Sequence, residues 1–277
     1  TFEIGNIGPE TNWEPALKDI DAVVHLAARV HVMNEKSTDP SKDFGLVNVL
    51  GTEKLANSAV KAGVKRFIFL STVKVNGEFS RRDSSGFTEQ DFPNPQDAYA
   101  VSKWETEQLL NRISQKSNLE VVIVRSPLVY GPGVKANYLR LMKYIEMGLP
   151  LPFKSVKNLR SYVSLTNLVD FLILCLENQN VAGETFLVSD NEDISTAQLI
   201  QKISYQMNRI IRLYPFPIVM LKVCAYLIGK QAAIDRLCGD LQVDISKARK
   251  QMGWIPPSSI DIGIKDTVNW YLGNPGI

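Results

Sequence analysis

In the first half of the chain, short unbroken apolar runs alternate with longer segments of helical spacing. DAVVHLAA, Asp21 to Ala28, has the character of a strand covered on both faces. From Asp43 to Ala62 the apolar residues recur at helical intervals, and Gly63 supplies a stop. VKRFIFLST predicts a second buried strand ending near Thr72, and LEVVIVRSP a third. Between them a loop containing Gly77, Gly86, Pro93 and Pro95 leads into a helix that carries Tyr99 and Lys103. Strands without polar alternation, separated by helices, predict an α/β fold with a doubly wound parallel sheet.

From about Val134 the rhythm changes, with helices expected at NYLRLMKYIEMG, TNLVDFLILCLEN, STAQLIQKISYQMN and IDIGIKDTVNWYL. The pattern divides the chain at 1–133 and 134–277, the second part forming a smaller lobe that exchanges segments with the first. LYPFPIVMLKVCAYLIGK, from Leu213, is the most apolar stretch. Its prolines and Lys222 leave too short a run to span a bilayer. It reads as a partly buried helix, with contact at a membrane surface as the other reading.

Composition adds little: 277 residues, 45% hydrophobic and 22% charged, fit an ordinary globular protein. A formal charge of +2 gives no case for nucleic acid as a partner. Cys175, Cys224 and Cys238 are sparse and form no CxxC pair, which predicts reduced thiols, a cytoplasmic setting and no bound metal.

Candidate chemistry centres on YAVSK. Residues four apart on a helix project from one face, so Tyr99 and Lys103 should be neighbours. Such a spacing is most often a solvated surface pair; it can also be an acid–base device, because a fixed cation favours a phenolate. The surrounding motifs decide between these. VVHLAARV, NVLGTEKL, FLSTVKVNG, YAVSK, VRSPLVYGPG, LRSYVSLTNLVD and VDISKARKQMGW occur in this order across nearly the whole chain. In them the chain resembles the extended short-chain dehydrogenase/reductase family, in its nucleotide-sugar epimerase/dehydratase branch, which implies a Rossmann-like sheet.

The resemblance implies the following roles. Tyr99 is the catalytic base and acid at a sugar hydroxyl or ketone, Lys103 holds the nicotinamide ribose and lowers the Tyr99 pKa, and Thr72 hydrogen-bonds the same substrate oxygen. NAD, with NADP as the other option, is the cofactor. Asn6 and Ile7 flank the adenine, Leu26, Ala27 and Ala28 line the cofactor path, and Pro127 borders it. Asn48 is a buried support under the site. Asn137, Arg160 and Arg236 are candidates for a nucleotide diphosphate, since guanidinium forks match phosphate oxygens; Arg160 matches better than Arg236. His25 reads as a packed strand histidine, and His31 is uninformative. A UDP-sugar is the implied substrate, and a homodimer through the helices with Lys54 and Trp104 the implied assembly.

Several positions depart from the family pattern. Its glycine-rich phosphate turn and opening βαβ unit are not found; TFEIGNIG aligns with the family's third strand. Gly5, Gly8 and Gly131 lack the strand-before, helix-after context that this turn needs. The chain therefore reads as the later part of a longer one, and by itself is expected to bind NAD(H) weakly. Val73 and Lys74 stand where the 4,6-dehydratases have Asp-Glu, which argues against dehydration. Leu128 replaces an asparagine near the diphosphate. Oxidation or reduction at the sugar C4 remains, in bacterial surface polysaccharide synthesis. ARVHVMN, STVKVNG and VYGPGVKANYLRLMK resemble enzymes of UDP-N-acetylhexosamine derivatives, which puts a 4-keto reductase narrowly ahead of a 4-epimerase. The rivals are a non-enzymatic dinucleotide-binding protein and a reductase of non-nucleotide substrates.

Overall fold

A computed structural model describes residues 1–30, 39–81 and 86–274. His31 and most of the ARVHVMN run lie outside them. In chain order the first elements are α1 (Glu14–Leu17), β1 (Ala22–His25) and α2 (Pro40–Phe44). A π-helical segment, Gly45–Leu50, joins α2 directly to α3 (Gly51–Lys61). There follow β2 (Arg66–Thr72), α4 (Ala98–Gln115), β3 (Glu120–Ser126), β4 (Leu128–Tyr130), α5 (Ala136–Glu146) and β5 (Tyr162–Ser164). The remainder is α6 (Leu165–Glu177), β6 (Thr185–Leu187), α7 (Thr196–Gln206), α8 (Ile218–Leu227), α9 (Gln231–Cys238), α10 (Ser246–Met252) and α11 (Ile260–Leu272).

The main sheet is parallel, in the order β1-β2-β3-β6. Strand periodicity divides β2 between two cores. Phe67 and Phe69 face a cluster with Leu55 and Ala59 of α3 and Leu110 of α4. Ile68 faces the opposite cluster, with Phe171 of α6, Ala248 of α10 and Trp254. Both faces are thus covered, as the apolar runs predict. Burying each such aromatic stabilises by about 1.5–3 kcal/mol, and Phe69→Ala would cost about 3–5 kcal/mol once the cavity is included.

A second pair, β4 and β5, carries a separate core in which Tyr130, Met142, Ile200 and Ile264 pack together. Its polar key is Asp190, which accepts from the Tyr130 hydroxyl at 2.7 Å and from Asn167 Nδ2 at 2.6 Å. That explains LRSYVSLTNLVD structurally: it forms β5 and the capped start of α6, where Ser164 Oγ accepts from the Asn167 amide. Segments 165–177 and 185–187 pack with the main sheet, β6 pairing with β3.

One expectation needs correction. Thr1–Gly5 forms no strand. β1 is the edge of the described sheet, and a segment without a neighbouring strand cannot satisfy its ladder. Gly131 is a packing glycine: at φ +151° it brings the chain so close to Leu165 that a Cβ would lie 2.7 Å from the Leu165 Cβ. Among the described residues no helix is long and apolar enough to cross a membrane.

Candidate active site

Thr72 ends β2, and Tyr99 lies one residue inside α4. Asp97 sets that helix start, its carboxylate accepting from the Ala100 amide at 2.8 Å. The capped turn starts the helix that carries both Tyr99 and Lys103, and Lys103 reaches back to β2. Lys103 Nζ lies 6.0 Å from the Tyr99 ring centroid and 4.4 Å from that of Phe69, and donates to the Leu70 carbonyl at 2.8 Å. The expected pairing of phenol and ammonium on one face is present.

Its electrostatics differ from the expectation. Burial pushes the Tyr99 phenol up to about 12, and the nearby Asp97 carboxylate adds to the shift. Burial also lowers Lys103 to about 8, against the stabilising charge of Glu107. The Lys103 ammonium gives a hydrogen bond to the strand carbonyl, and desolvation dominates at Tyr99.

Asn48 is tied to two neighbouring segments. Fully buried on the π-helical segment, it donates to the Arg29 carbonyl at 3.1 Å and to Ser102 Oγ at 2.9 Å, and accepts from the Arg29 amide at 2.8 Å. It locks the chain after β1 to α4 at the residue next to Lys103. π-helical turns concentrate at functional sites. His25 is neutral and packed: its Nε2 lies 2.9 Å from Thr52 Oγ1, and burial plus Lys103 lower it to about 4.

The residues just past β1 form an apolar shelf: Leu26 is 55% exposed and Ala27 is exposed beside it, with Ala28 half-buried. Pro127 is buried at the end of β3. Ile7 packs with the α3 cluster beside Gly51, while Asn6 is exposed and its carbonyl accepts from Thr11 Oγ1 at 3.1 Å.

Arg160 and Arg236 are brought together. Arg160 Nη1 donates to the Arg236 carbonyl at 2.8 Å and to the Gly239 carbonyl at 3.1 Å, closing the carboxyl end of α9. Burial lowers the Arg160 pKa and the Arg236 cation lowers it further, while Glu78 and Asp240 oppose the shift. Asn137 is exposed in the first turn of α5, with no hydrogen bond to this pair. A cavity of about 720 Å³ is lined by Asn76, Glu78, Phe79, Phe87, Asn94 and Gln96, in the loops between β2 and α4.

Sequence reasoning missed the charges that organise this edge. Lys74 is more than a non-acid: its Nζ lies 2.6 Å from the Asp97 carboxylate and 2.8 Å from that of Glu78. Beneath them Arg125 makes a two-pronged pair with Glu107 at 2.6 and 3.0 Å and donates to Asn76 Oδ1 at 3.1 Å. Glu107 also accepts from the Ser71 hydroxyl. Asp97 could have been found as a helix cap two residues before Tyr99. The Glu107–Arg125 pair joins different elements and left no spacing signal. Among the described residues no cluster of potential metal ligands occurs.

A doubly wound sheet with tyrosine, lysine and threonine at its carboxyl edge defines a dinucleotide-dependent oxidoreductase-type scaffold. The comparisons with known proteins are more specific. The family model described as "NAD dependent epimerase/dehydratase family" matches residues 1–189, and the chain belongs to that family. It is similar to a UDP-glucose 4-epimerase of Vibrio cholerae, 43% identical over 98% of this chain and 83% of that protein. It is 26% identical to the N-acetyl-alpha-D-glucosaminyl-diphospho-ditrans,octacis-undecaprenol 4-epimerase of Escherichia coli O157:H7, over 97% of this chain and 82% of the other. Among solved structures, the UDP-glucuronic acid 4-epimerase of Bacillus cereus in complex with NAD aligns with a TM-score of 0.76 at 21% identity. It covers 95% of this chain and 78% of that one.

Proposed function

We propose that the protein is an NAD-dependent 4-epimerase of a UDP-sugar, working in the assembly of bacterial surface polysaccharide. The observation that carries this reading is the triad itself, with Val73 and Lys74 following Thr72 and Lys74 engaged by Glu78 and Asp97. Elimination of water calls for a carboxylic acid at those places, whereas moving a proton at C4 needs only the phenol and a hydroxyl partner. The 43% relative named as a UDP-glucose 4-epimerase puts epimerisation ahead of reduction, reversing the order read from the sequence.

The residues present fit the nicotinamide half of NAD. Leu26 and Ala27 offer an uncovered apolar shelf for its ring, and Lys103 supplies a buried cation for the ribose hydroxyls. Bound NAD supplies hydride exchange. Tyr99 moves the proton of the C4 oxygen, Thr72 hydrogen-bonds that oxygen, and the Arg160–Arg236 pair provides the positive charge for a diphosphate. A homodimer through α3 and α4 is part of this reading, with Lys54 exposed and Trp104 half-buried on those helices.

A 4-keto reductase, which the sequence motifs put narrowly first, is the second reading, since the same phenol and hydroxyl partner would serve reduction of a C4 ketone. Product analysis separates the two. Gluco- and galacto-configured UDP-sugars interconverting with NAD and no net redox supports the epimerase. Stoichiometric NADH consumption by a 4-keto sugar nucleotide supports the reductase. A protein that binds NAD but converts neither would be a non-catalytic dinucleotide binder.

A further inference from the structure

Helix α8 has two apolar faces, and the fold covers one of them. Leu221 and Ala225, four residues apart, are buried, Leu221 within the cluster that Ile234 and Leu237 of α9 also join. On the other side Val219, Met220, Val223, Tyr226 and Leu227 recur at three- and four-residue intervals, and Ile228 extends the stripe. Each is between 53 and 76% exposed. A helix that is apolar all round is ordinarily covered all round. Scattered exposed leucines are normal, but a continuous stripe of six side chains marks an interaction surface.

Charge identifies the partner. From Ile194 to Ile234 the sequence contains Lys202, Arg209, Arg212, Lys222 and Lys230 and neither Asp nor Glu, in a chain with 29 acidic and 31 basic residues. Arg209, Arg212, Lys222 and Lys230 are exposed, and Ile210 stands almost wholly in solvent beside Arg209. The first acid beyond this run, Asp235, pairs with Lys222 at 3.0 Å. A second copy docking here by two-fold symmetry would set the cationic region against itself. Protein interfaces are also depleted in lysine. An apolar stripe rimmed by cations matches a membrane surface of negative charge.

We propose that α8 docks the protein on an anionic lipid bilayer, its Val219–Ile228 stripe at the headgroup boundary and the surrounding cations among the phosphates. The ten residues of α8 are far too few to span, so the helix lies on the surface. Because α8 packs on α9, docking places the Arg160–Arg236 pair close to the bilayer. The inference stands on the exposed stripe and its charge, and is independent of the reaction assigned above.

Co-sedimentation with vesicles tests it. The full chain is expected to pellet with phosphatidylcholine vesicles containing a quarter phosphatidylglycerol. Binding should be at least about tenfold weaker to pure phosphatidylcholine, or at about 0.5 M salt. Val223→Asp with Leu227→Asp should abolish pelleting while circular dichroism matches the parent. Arg209→Gln with Lys230→Gln, two exposed cations that leave the Lys222–Asp235 pair in place, should weaken it about tenfold. Three results overturn the proposal: a parent that stays in the supernatant with anionic vesicles, an Arg209→Gln/Lys230→Gln protein without effect, or a Val223→Asp/Leu227→Asp protein that pellets like the parent. A parent that fails to pellet and that the aspartates convert from dimer to monomer in sedimentation velocity would make this face a contact between copies.

Discussion

Arg66 and Arg125 sit at opposite ends of the same two parallel strands, and each is held by a glutamate. At the amino end, Arg66 of β2 pairs with Glu120 of β3 at 2.6 Å and donates to the carbonyls of Cys175, Leu176 and Asn178, closing α6. At the carboxyl end, Arg125 of β3 pairs with Glu107 of α4, which is also tied to Ser71, one residue before Thr72. Both look alike on paper, but only the second is sealed: Glu107 is 1% and Arg125 5% exposed, whereas Glu120 is 42% exposed. In a parallel sheet the carboxyl end is where ligands bind. The Arg66 pair fastens a helix, and the Arg125 pair holds the floor of the candidate site.

Four substitutions or titrations can break or sharpen that contrast. Tyr99→Phe should lower turnover by about 10²–10⁴-fold, the range general acid–base groups supply, with an unchanged thermal melt; a variant as active as its parent would remove the site from the carboxyl end. Glu107→Gln leaves the Arg125 cation buried without its counter-charge and should cost about 3–5 kcal/mol in urea unfolding. Its turnover should fall too, because Ser71 and α4 lose their common anchor.

His25 tests the same edge through pH. Its folded pKa, about 4, lies below the ordinary 6.5, so between those values the unfolded chain binds the extra proton. Stability should therefore decline as pH falls from 6.5 toward 4, by at most about 3 kcal/mol. A His25→Gln protein should show a smaller decline in the same denaturation series. The smallest effect is expected from Glu120→Gln: Arg66 keeps three carbonyl partners, the carboxylate is half in solvent, and the loss should be about 1 kcal/mol or less, with turnover intact.

What the sequence shows and what it hides follow one physical line. The strands and α4 were legible because apolar runs and a Pro-rich approach are local signals, and the Tyr99–Lys103 spacing is set by helix geometry alone. Asn48 was legible through its motif. The direction of the Tyr99 shift was not, because it depends on how deeply the fold buries the phenol and on where Lys103 sends its hydrogen bond. Glu107 and Arg125 lie on separate elements, 18 residues apart, so neither announces the other. For α8, composition gave the helix, but only tertiary packing determines which of its faces stays uncovered.

The π-helical turn at Gly45–Leu50 amounts to one surplus residue stored between two ordinary helices. Removing any single residue there would let α2 and α3 wind as one regular rod, turning everything upstream by about 100°. Phe44, whose ring meets that of Tyr99 edge-on at 6.2 Å, would swing off the phenol with it. A one-codon deletion in this stretch is thus equivalent to a rotation of the wall around Tyr99, and length there is constrained more tightly than residue identity.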